Sequence, residues 1–462
     1  MNRLKIYTCI IASAWLYAMP ALWNMYFWWG SFLFLLPFFY VIMQHKIHYK
    51  HVYIWSACAN AFHLSGVLIG IVRMAEGSLW QACIPALFMV AYAALFGLSI
   101  LFVVRVCESY VFFKIKTKIM WSYVVAFWTY FLLMDHISMF PFDTIEGYFL
   151  LHPLLPLAVF PSLLRLLPWL HSEGLCAVLL VTQASFFGMT YEKTSYWKKV
   201  FGVCALFWLL CVIVPTQKLV KPVWFEKVVA VPYVFRGKPS TQDMVQLAAL
   251  FLKDVAYQFQ KAVIFVMPEG SFYADCLSNN TVAHALTKQY LDRPIHLLTG
   301  SFTWEGTKYR NTLYWLHDGI VQAQFHKTHA MVLTEKTPSW FRFKLIHELY
   351  FKNFNEIIPS QNVRPLLTIT DYFSVVPYIC SELFFAKRPR DCFKTCSVYA
   401  LCNDRWTVDY IKLLMLRVAQ YKAIEWQRPV MYVSFAYQYY IDSTGSMISL
   451  QRYEASNSFV IQ

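Results

Sequence analysis

The sequence predicts a multi-pass α-helical membrane bundle of about seven helices followed by an α/β domain, and three observations carry that prediction. Of the 462 residues, 58% are hydrophobic and only 14% are charged, against about 45–50% and about 25% in ordinary globular chains. The excess is confined to residues 1–215, where long apolar runs alternate with short basic clusters, while 216–462 reads as a mixed domain. The basic residues also recur between alternate pairs of apolar runs, as they do in membrane proteins.

A membrane-spanning helix needs about 20 predominantly apolar residues. Segments that meet this lie near 6–23, 25–43, 53–72, 79–104, 119–138, 172–190 and 199–214. The stretch 141–170 is also apolar, but it holds Pro141, Pro153, Pro156, Pro161 and Pro168. Such a stretch suits a re-entrant or interfacial segment better than a regular span, because irregular backbone at membrane depth must be buried in protein. The first apolar segment leads into no small-residue cleavage site, so a removable signal peptide is not expected.

With the N-terminus in the cytoplasm, the inner loops contain Arg3, Lys5, Lys46, Lys50, Arg105, Lys114, Lys116, Lys118, Lys193, Lys198 and Lys199. The outer loops contain little beyond Arg73 and Arg165. This is the asymmetry of the positive-inside rule. An odd number of passes then puts residues 216–462 outside the cytoplasm. The formal net charge of +14 is explained by these loops. The basic residues are otherwise scattered, with no arginine-rich face or zinc-knuckle spacing, so no nucleic-acid partner is expected.

Twelve cysteines do not read as a disulfide framework. Cys9, Cys58, Cys83, Cys107, Cys176, Cys204 and Cys211 lie in or beside apolar segments, where cysteine acts as a small hydrophobe. The second half holds Cys276, Cys380, Cys392, Cys396 and Cys402, an odd number that leaves at least one unpaired. Cys392 and Cys396 would share one face of a helix; a disulfide between them is open but not favoured.

From 216 onward the period shortens. Strand-like runs appear at 261–267, 295–301, 311–316, 374–379 and 397–402, with a longer run at 430–441 closed by Asp442-Ser443-Thr444-Gly445. Helical patterns intervene at about 241–260, 280–290 and 408–427. Strands alternating with helices predict an α/β domain with buried sheets. No spanning segment is expected after Gly445, so the anchor is expected to be N-terminal.

Three strand ends carry reactive groups: Glu269 in Met267-Pro268-Glu269-Gly270, Lys327 in Phe325-His326-Lys327-Thr328-His329, and Cys380 in Tyr378-Ile379-Cys380-Ser381-Glu382. Together a thiol, a carboxylate and an ammonium can run acyl transfer. The sulfur attacks a carbonyl, the carboxylate moves the proton, and the ammonium steadies the oxyanion. Singly, each has a plain structural reading: Cys380 as a buried inert thiol, Glu269 as a helix cap, Lys327 as a solvated surface residue. His326 and His329 are three apart without a carboxylate or cysteine to complete a metal set, so no metal is expected. No glycine-rich phosphate loop points to a nucleotide, and no cofactor is expected.

The order of these motifs resembles the nitrilase (carbon–nitrogen hydrolase) superfamily, whose members use a glutamate, a lysine and a cysteine in that order. More closely, the chain resembles apolipoprotein N-acyltransferase, the membrane-embedded branch, over nearly its whole length. Met19-Pro20 between two apolar runs, then Pro37, resembles that family's first helix pair. Ser301-Phe302 with Arg310-Asn311-Thr312 resembles the segment before the lysine. His326-Lys327-Thr328-His329 followed by Glu335 and Pro338 is similar to the lysine segment, and Ile379-Cys380-Ser381-Glu382 to the nucleophile motif. Asn403-Asp404-Arg405-Trp406, then Ala423, Glu425 and Arg428, resembles the closing segment.

The resemblance implies an αββα sandwich for the second half and a role for each matched residue. Cys380 is the nucleophile that takes an acyl chain as a thioester, Glu269 the general base and acid, and Lys327 the oxyanion stabiliser. Glu335 holds Lys327 or the incoming amine, and Glu382 supports the nucleophile loop. A lysine beside the thiol is expected to lower its pKa and supply thiolate. The implied donor is a phospholipid, and the implied acceptor an amine such as the N-terminus of a lipoprotein. The implied place is a bacterial inner membrane, with the catalytic domain periplasmic. Aromatic-rich stretches at 23–29 and 140–149 are candidates to line lipid access.

Four features depart from the family. Ser381 stands where tyrosine is usual. Val332-Leu333-Thr334 precedes Glu335 in place of a proline, an aromatic and a glycine. Residues 434–438 read Ser-Phe-Ala-Tyr-Gln in place of an asparagine–glycine element, and the closing transmembrane helix is missing. Shortened conjugal-transfer relatives share such features, which leaves another amine acceptor open. An amidase-type hydrolase and a non-catalytic scaffold are the alternatives.

Overall fold

The computed structural model describes residues 2–22, 25–74, 87, 90–92, 94–110, 115–136, 152–214, 219–235, 241–272, 277, 280–289, 293–305, 308–330, 335, 357–360, 364–385, 397–405 and 408–453. Cys83, Cys276, Pro338, Cys392, Cys396, Trp406 and the aromatic stretch 140–149 lie outside them. The chain forms two compact units. The first contains Met1–Gln217 and Trp406–Glu425; the second contains Lys218–Thr337, Asn353–Arg405 and Trp426–Gln462.

The first unit is helical. Helices run over Arg3–Leu22, Leu36–Gln44, Tyr49–Met74, Leu98–Tyr110, Ile115–His136, Leu167–Tyr191 and Ser195–Ile213. Among the described residues, four stretches are long and apolar enough to cross a membrane: Phe27–Gln44, Val90–Ser109, Leu167–Tyr191 and Ser195–Ile213. The proline-rich stretch is described from 152, where it forms short 3-10 turns at Leu155–Val159 and Pro161–Leu164. Pro168 then sits in the first turn of the next helix, where its missing N–H leaves no bond unmade.

Polar side chains inside this unit satisfy broken backbone. Between the turn Met25–Phe32 and the helix Leu36–Gln44, the buried Gln183 accepts from the Leu35 N–H at 2.8 Å and donates to the Ser31 carbonyl at 3.0 Å. Ser13 donates to the Phe34 carbonyl and accepts from the Trp55 indole N–H at 2.9 Å. With no water to serve them in an apolar interior, such groups must find partners within the protein. Along Ser195–Ile213, by contrast, Val203, Leu206, Leu209, Leu210 and Ile213 are exposed. An apolar face of that kind suits lipid rather than water.

The second unit holds two six-stranded sheets. The first sheet contains β1 (Val228–Ala230), β2 (Ile264–Val266), β3 (His296–Glu305), β4 (Lys308–His317) and β5 (Ile320–His326). The second contains β6 (Leu367–Thr370), β7 (Phe373–Ile379), β8 (Ser397–Leu401), β9 (Val430–Val433), β10 (Gln438–Ile441) and β11 (Met447–Ser449). The last strand, β12 (Gln451–Arg452), returns to the first sheet, giving the orders β12-β1-β2-β3-β4-β5 and β11-β10-β9-β8-β7-β6. Strands β1, β2 and β3 are parallel, as are β7, β8 and β9. Apart from the outer half of β3, their side chains are almost all buried, and strands covered on both faces read as continuous apolar runs. Between the sheets, the buried Tyr399 of β8 donates to the Met267 carbonyl at 2.8 Å. The helix Thr241–Gln258 presents Ala248, Leu252 and Val255 to the core beside β1 and β2.

One expected strand is corrected. The run 430–441 is a hairpin, β9 and β10 paired antiparallel across 434–437. Its turn is stapled by the buried Asp404, which accepts from the Ser434 hydroxyl at 2.7 Å and from the Phe435 and Ala436 N–H groups at 3.1 Å each. A distant carboxylate therefore makes the turn that the local residues do not signal.

Candidate active site

Glu269, Lys327, Glu335, Cys380 and Glu382 all lie in the second unit, and the fold gathers them. Glu269 follows β2 in a turn rather than at a helix start. That turn needs glycine at Gly270, whose φ is +66°, a region closed to most side chains. It also needs Gly300 opposite, where a Cβ would come within 2.7 Å of the Glu269 Cα. The Glu269 carboxylate is buried and anchored at both oxygens. The Asn311 side-chain amide donates to Oε1, and the Asn403 backbone N–H donates to Oε2 at 2.8 Å. This removes the helix-cap reading.

Lys327 follows β5 and is fully buried, which removes the surface reading. Its backbone is fixed on both sides: the N–H donates to the Asn311 carbonyl at 2.8 Å, and the carbonyl accepts from the Ser360 N–H at 2.9 Å. Its Nζ donates to Glu335 Oε1 at 2.5 Å and lies 3.8 Å from Glu269 Oε1. Burial alone would favour loss of the ammonium proton. The negative charges of Glu335 and Glu269 outweigh burial and raise the lysine pKa above its ordinary value, so the group is a fixed cation.

Cys380 ends β7 with φ at +51°. A non-glycine residue in the left-handed region costs on the order of 1–3 kcal/mol and marks a position held by its surroundings. The hold is visible. Glu382, one turn on and fully buried, accepts from the Ile379 N–H at 2.8 Å through Oε2. Its Oε1 accepts from the Thr328 N–H at 2.6 Å and hydroxyl at 2.5 Å, and from Arg364 Nη2 at 3.0 Å. One carboxylate thus ties the turn beneath Cys380 to the loop after Lys327. Burial works against the charged form of Glu382. Arg364 and the donated hydrogen bonds win, holding its pKa below the ordinary carboxylate range.

The thiol itself corrects an expectation. Its pKa is raised well above the ordinary thiol value, first by hydrogen bonding with the neighbouring Cys402 thiol, then by burial and by the charge of Glu269. Lys327 pulls the other way and is outweighed. The lysine therefore does not supply a standing thiolate, because its charge is already matched by two carboxylates. At rest the sulfur carries its proton, and a base must take that proton during reaction. Glu269 is the nearby carboxylate whose charge is felt at the thiol.

Sequence reasoning missed Asn311 and Asn403 as anchors of Glu269, Arg364 as the partner of Glu382, and Cys402 as the neighbour of Cys380. Asn311 and Asn403 stood within matched segments without a role, and their polar atoms at strand ends were the available signal. Arg364 carried no local signature. Ser381, where the resembled family has tyrosine, is fully buried, and among the described residues its Oγ has no hydrogen-bond partner.

No protein-family model matches the sequence, and no curated protein matches it. Among solved structures, the chain is similar to a carbon–nitrogen hydrolase from Helicobacter pylori G27, with 11% identity over 48% of this chain and 85% of that one and a TM-score of 0.32. It is similar to Nit3 of Saccharomyces cerevisiae, a member of branch 10 of the nitrilase superfamily, with 15% identity over 49% of this chain and 86% of that one and a TM-score of 0.33. A CN-hydrolase superfamily protein from Xanthomonas campestris, solved with an arsenic adduct in its active site, is similar at 14% identity over 49% of this chain and 86% of that one, with a TM-score of 0.34.

Proposed function

We propose that this protein is a membrane-tethered acyltransferase, moving a fatty acyl chain from a phospholipid through a Cys380 thioester to an amine acceptor such as a lipoprotein N-terminus. The observation that carries this reading is the buried set in which the Cys380 thiol, on a left-handed turn, shares one site with the Glu269 carboxylate and the ion-paired Lys327 ammonium. In the first half-reaction Glu269 takes the thiol proton as the sulfur attacks the ester carbonyl. Lys327 steadies the oxyanion. The carbon–oxygen bond then breaks, and Glu269 returns the proton to the departing lysophospholipid alcohol. In the second half-reaction the amine attacks the thioester, Glu269 takes its proton, and Cys380 leaves as the thiol while the amide forms.

The four apolar stretches long enough to cross a membrane support a tether that brings such a site to lipid. With the basic residues counted inside, the domain 216–462 faces the periplasm of a bacterial inner membrane. The full-length protein incubated with a labelled-acyl phospholipid is expected to yield a hydroxylamine-sensitive acyl adduct on Cys380, absent from Cys380→Ala. A wild-type protein that takes up no label, in lipid and detergent that support a control acyltransferase, overturns the reading.

A further inference from the structure

Cys402 has no part in the reaction described above, yet it is a second thiol beside the sulfur of Cys380. The sheet puts it there. Strands β7 and β8 run parallel with Ile379 opposite Leu401, and the Cys380 N–H donates to the Leu401 carbonyl at 2.8 Å. Both strands end at that pair, so Cys380 and Cys402 are the residues that follow two neighbouring strand ends. Neighbouring strands lie about 4.7–4.9 Å apart, which is inside the Cα separation of about 4.4–6.8 Å that a disulfide spans. Cys402 is pinned from its other side, its N–H donating to the Val433 carbonyl at 2.9 Å. Both thiols are free and buried.

Their exposures differ in a way that assigns roles. Cys380 is 6% exposed and Cys402 is 0% exposed. A small oxidant therefore meets Cys380 before Cys402, whose side chain is closed to solvent. We infer that Cys402 is a resolving thiol, forming a reversible disulfide with Cys380 when a hydroperoxide oxidises the site. The steps balance. Glu269 takes the thiol proton, the Cys380 sulfur attacks one peroxide oxygen and the O–O bond breaks; the departing hydroxide takes the proton back from Glu269 and leaves as water, giving a sulfenic acid. The Cys402 sulfur then attacks the Cys380 sulfur, the S–O bond breaks, and a second water carries away the Cys402 proton. Two thiols and one hydrogen peroxide become one disulfide and two waters. The consequence is twofold: Cys380 has no sulfur left to form a thioester, and it is diverted from the sulfinic and sulfonic acids that cannot be reduced back by thiols.

That consequence rests on Cys380 being the acyl-carrying group, but the disulfide does not, so the two can fail separately. The full-length protein in detergent is treated with hydrogen peroxide, blocked with N-ethylmaleimide under denaturing conditions and mapped by mass spectrometry without reduction. The expected result is a Cys380–Cys402 linked peptide, loss of maleimide from both positions, and return of both labels after dithiothreitol. In Cys402→Ser the same exposure is expected to carry Cys380 to the sulfinic acid. Two results overturn the inference: Cys380 reaching the sulfinic acid in the wild type while Cys402 still takes maleimide, or Cys380 linking to another cysteine. If the linked peptide forms while the reduced protein takes up no acyl label, the resolving thiol stands and the acyltransferase reading falls.

Discussion

Glu382 is where one buried carboxylate holds two loops, so its replacement by glutamine is a sharp test of how the site is built. The amide keeps the shape and one acceptor oxygen but turns the other oxygen into a donor. With the oxygen kept toward Thr328 and Arg364, the new NH₂ faces the Ile379 N–H, which now donates to Oε2 at 2.8 Å. That backbone donor is left buried and unpaired, at about 1–3 kcal/mol. The Arg364 guanidinium loses its counter-charge as well. Breaking a fully buried pair costs about 3–5 kcal/mol, but the Arg364 side chain is 21% exposed and water takes up part of the loss. A local cost of about 3 kcal/mol follows, or about a hundredfold in the opening constant at 1.36 kcal/mol per tenfold. The reporter is the Ile379 amide itself, read by hydrogen exchange in the full-length protein. Its protection is expected to fall about a hundredfold in Glu382→Gln. In the double variant with Arg364→Met, the two losses are expected to be less than additive. An Ile379 exchange rate within about threefold of wild type would refute the clamp, since the hydrogen bond would then contribute less than about 0.7 kcal/mol.

The Glu382 pKa is depressed in the fold, so its contribution is present above the ordinary carboxylate pKa near ~4.3 and lost as pH falls through the folded value. Ile379 exchange, corrected for intrinsic rate, is expected to open on acidification in the wild type and to be flat in Glu382→Gln. For Cys380 the sign is opposite. Its raised pKa stabilises the protein fully below the ordinary thiol value near ~8.5, and this is lost as pH rises through the folded value. Iodoacetamide labelling of Cys380 is therefore expected to keep rising with pH past ~8.5. The midpoint should move down in Cys402→Ala, which removes the first cause of the shift; a midpoint that stays put refutes that cause. Gly300→Ala pushes a methyl against the Glu269 backbone, at about 1–3 kcal/mol for overpacking. It is expected to abolish acyl-adduct formation while circular dichroism shows a folded protein, and full adduct yield would show that the Glu269 turn tolerates displacement.

The central parallel strands were legible because burial on both faces writes them as unbroken apolar runs; β2, β3, β7 and β8 sit within or across the runs that announced them. The same rule misled at 430–441. That run is almost entirely apolar because both strands of the hairpin are buried, and its turn contains no glycine, proline or asparagine. The turn is made by Asp404, 30 residues before Ser434, and no local window contains that cause. Strands β1, β11 and β12 are three residues or fewer, too short to show a period. At the site, Glu269, Lys327 and Cys380 were visible because charged or reactive groups directly follow apolar strands. Their protonation was not. The thiol's neighbour is set by the register of β7 on β8, and a register between strands separated by 17 residues leaves no trace in either strand alone.

In the proposed reaction the charges at the site give Glu335 a part distinct from that of Glu269. A buried lysine with a single carboxylate partner would satisfy that partner and neutralise the base on which the thiol depends. Here the ammonium makes its short contact, 2.5 Å, with Glu335 and stands 3.8 Å from Glu269. Glu269 is held instead by two uncharged donors, Asn311 and the Asn403 N–H, which fix its position. A lysine carries three N–H donors. Among the described residues, Glu335 takes one and Glu269 lies within ion-pair range of a second, which leaves a third for an oxyanion. In the proposed reaction the negative charge that forms on the acyl oxygen then meets a cation already paid for by Glu335. The proton that Glu269 receives from Cys380 weakens its claim on the same ammonium at that moment. In the proposed reaction these charges favour the transition state over the resting thiol, which is the condition for catalysis. A lone lysine–glutamate pair beside the same cysteine would not meet it.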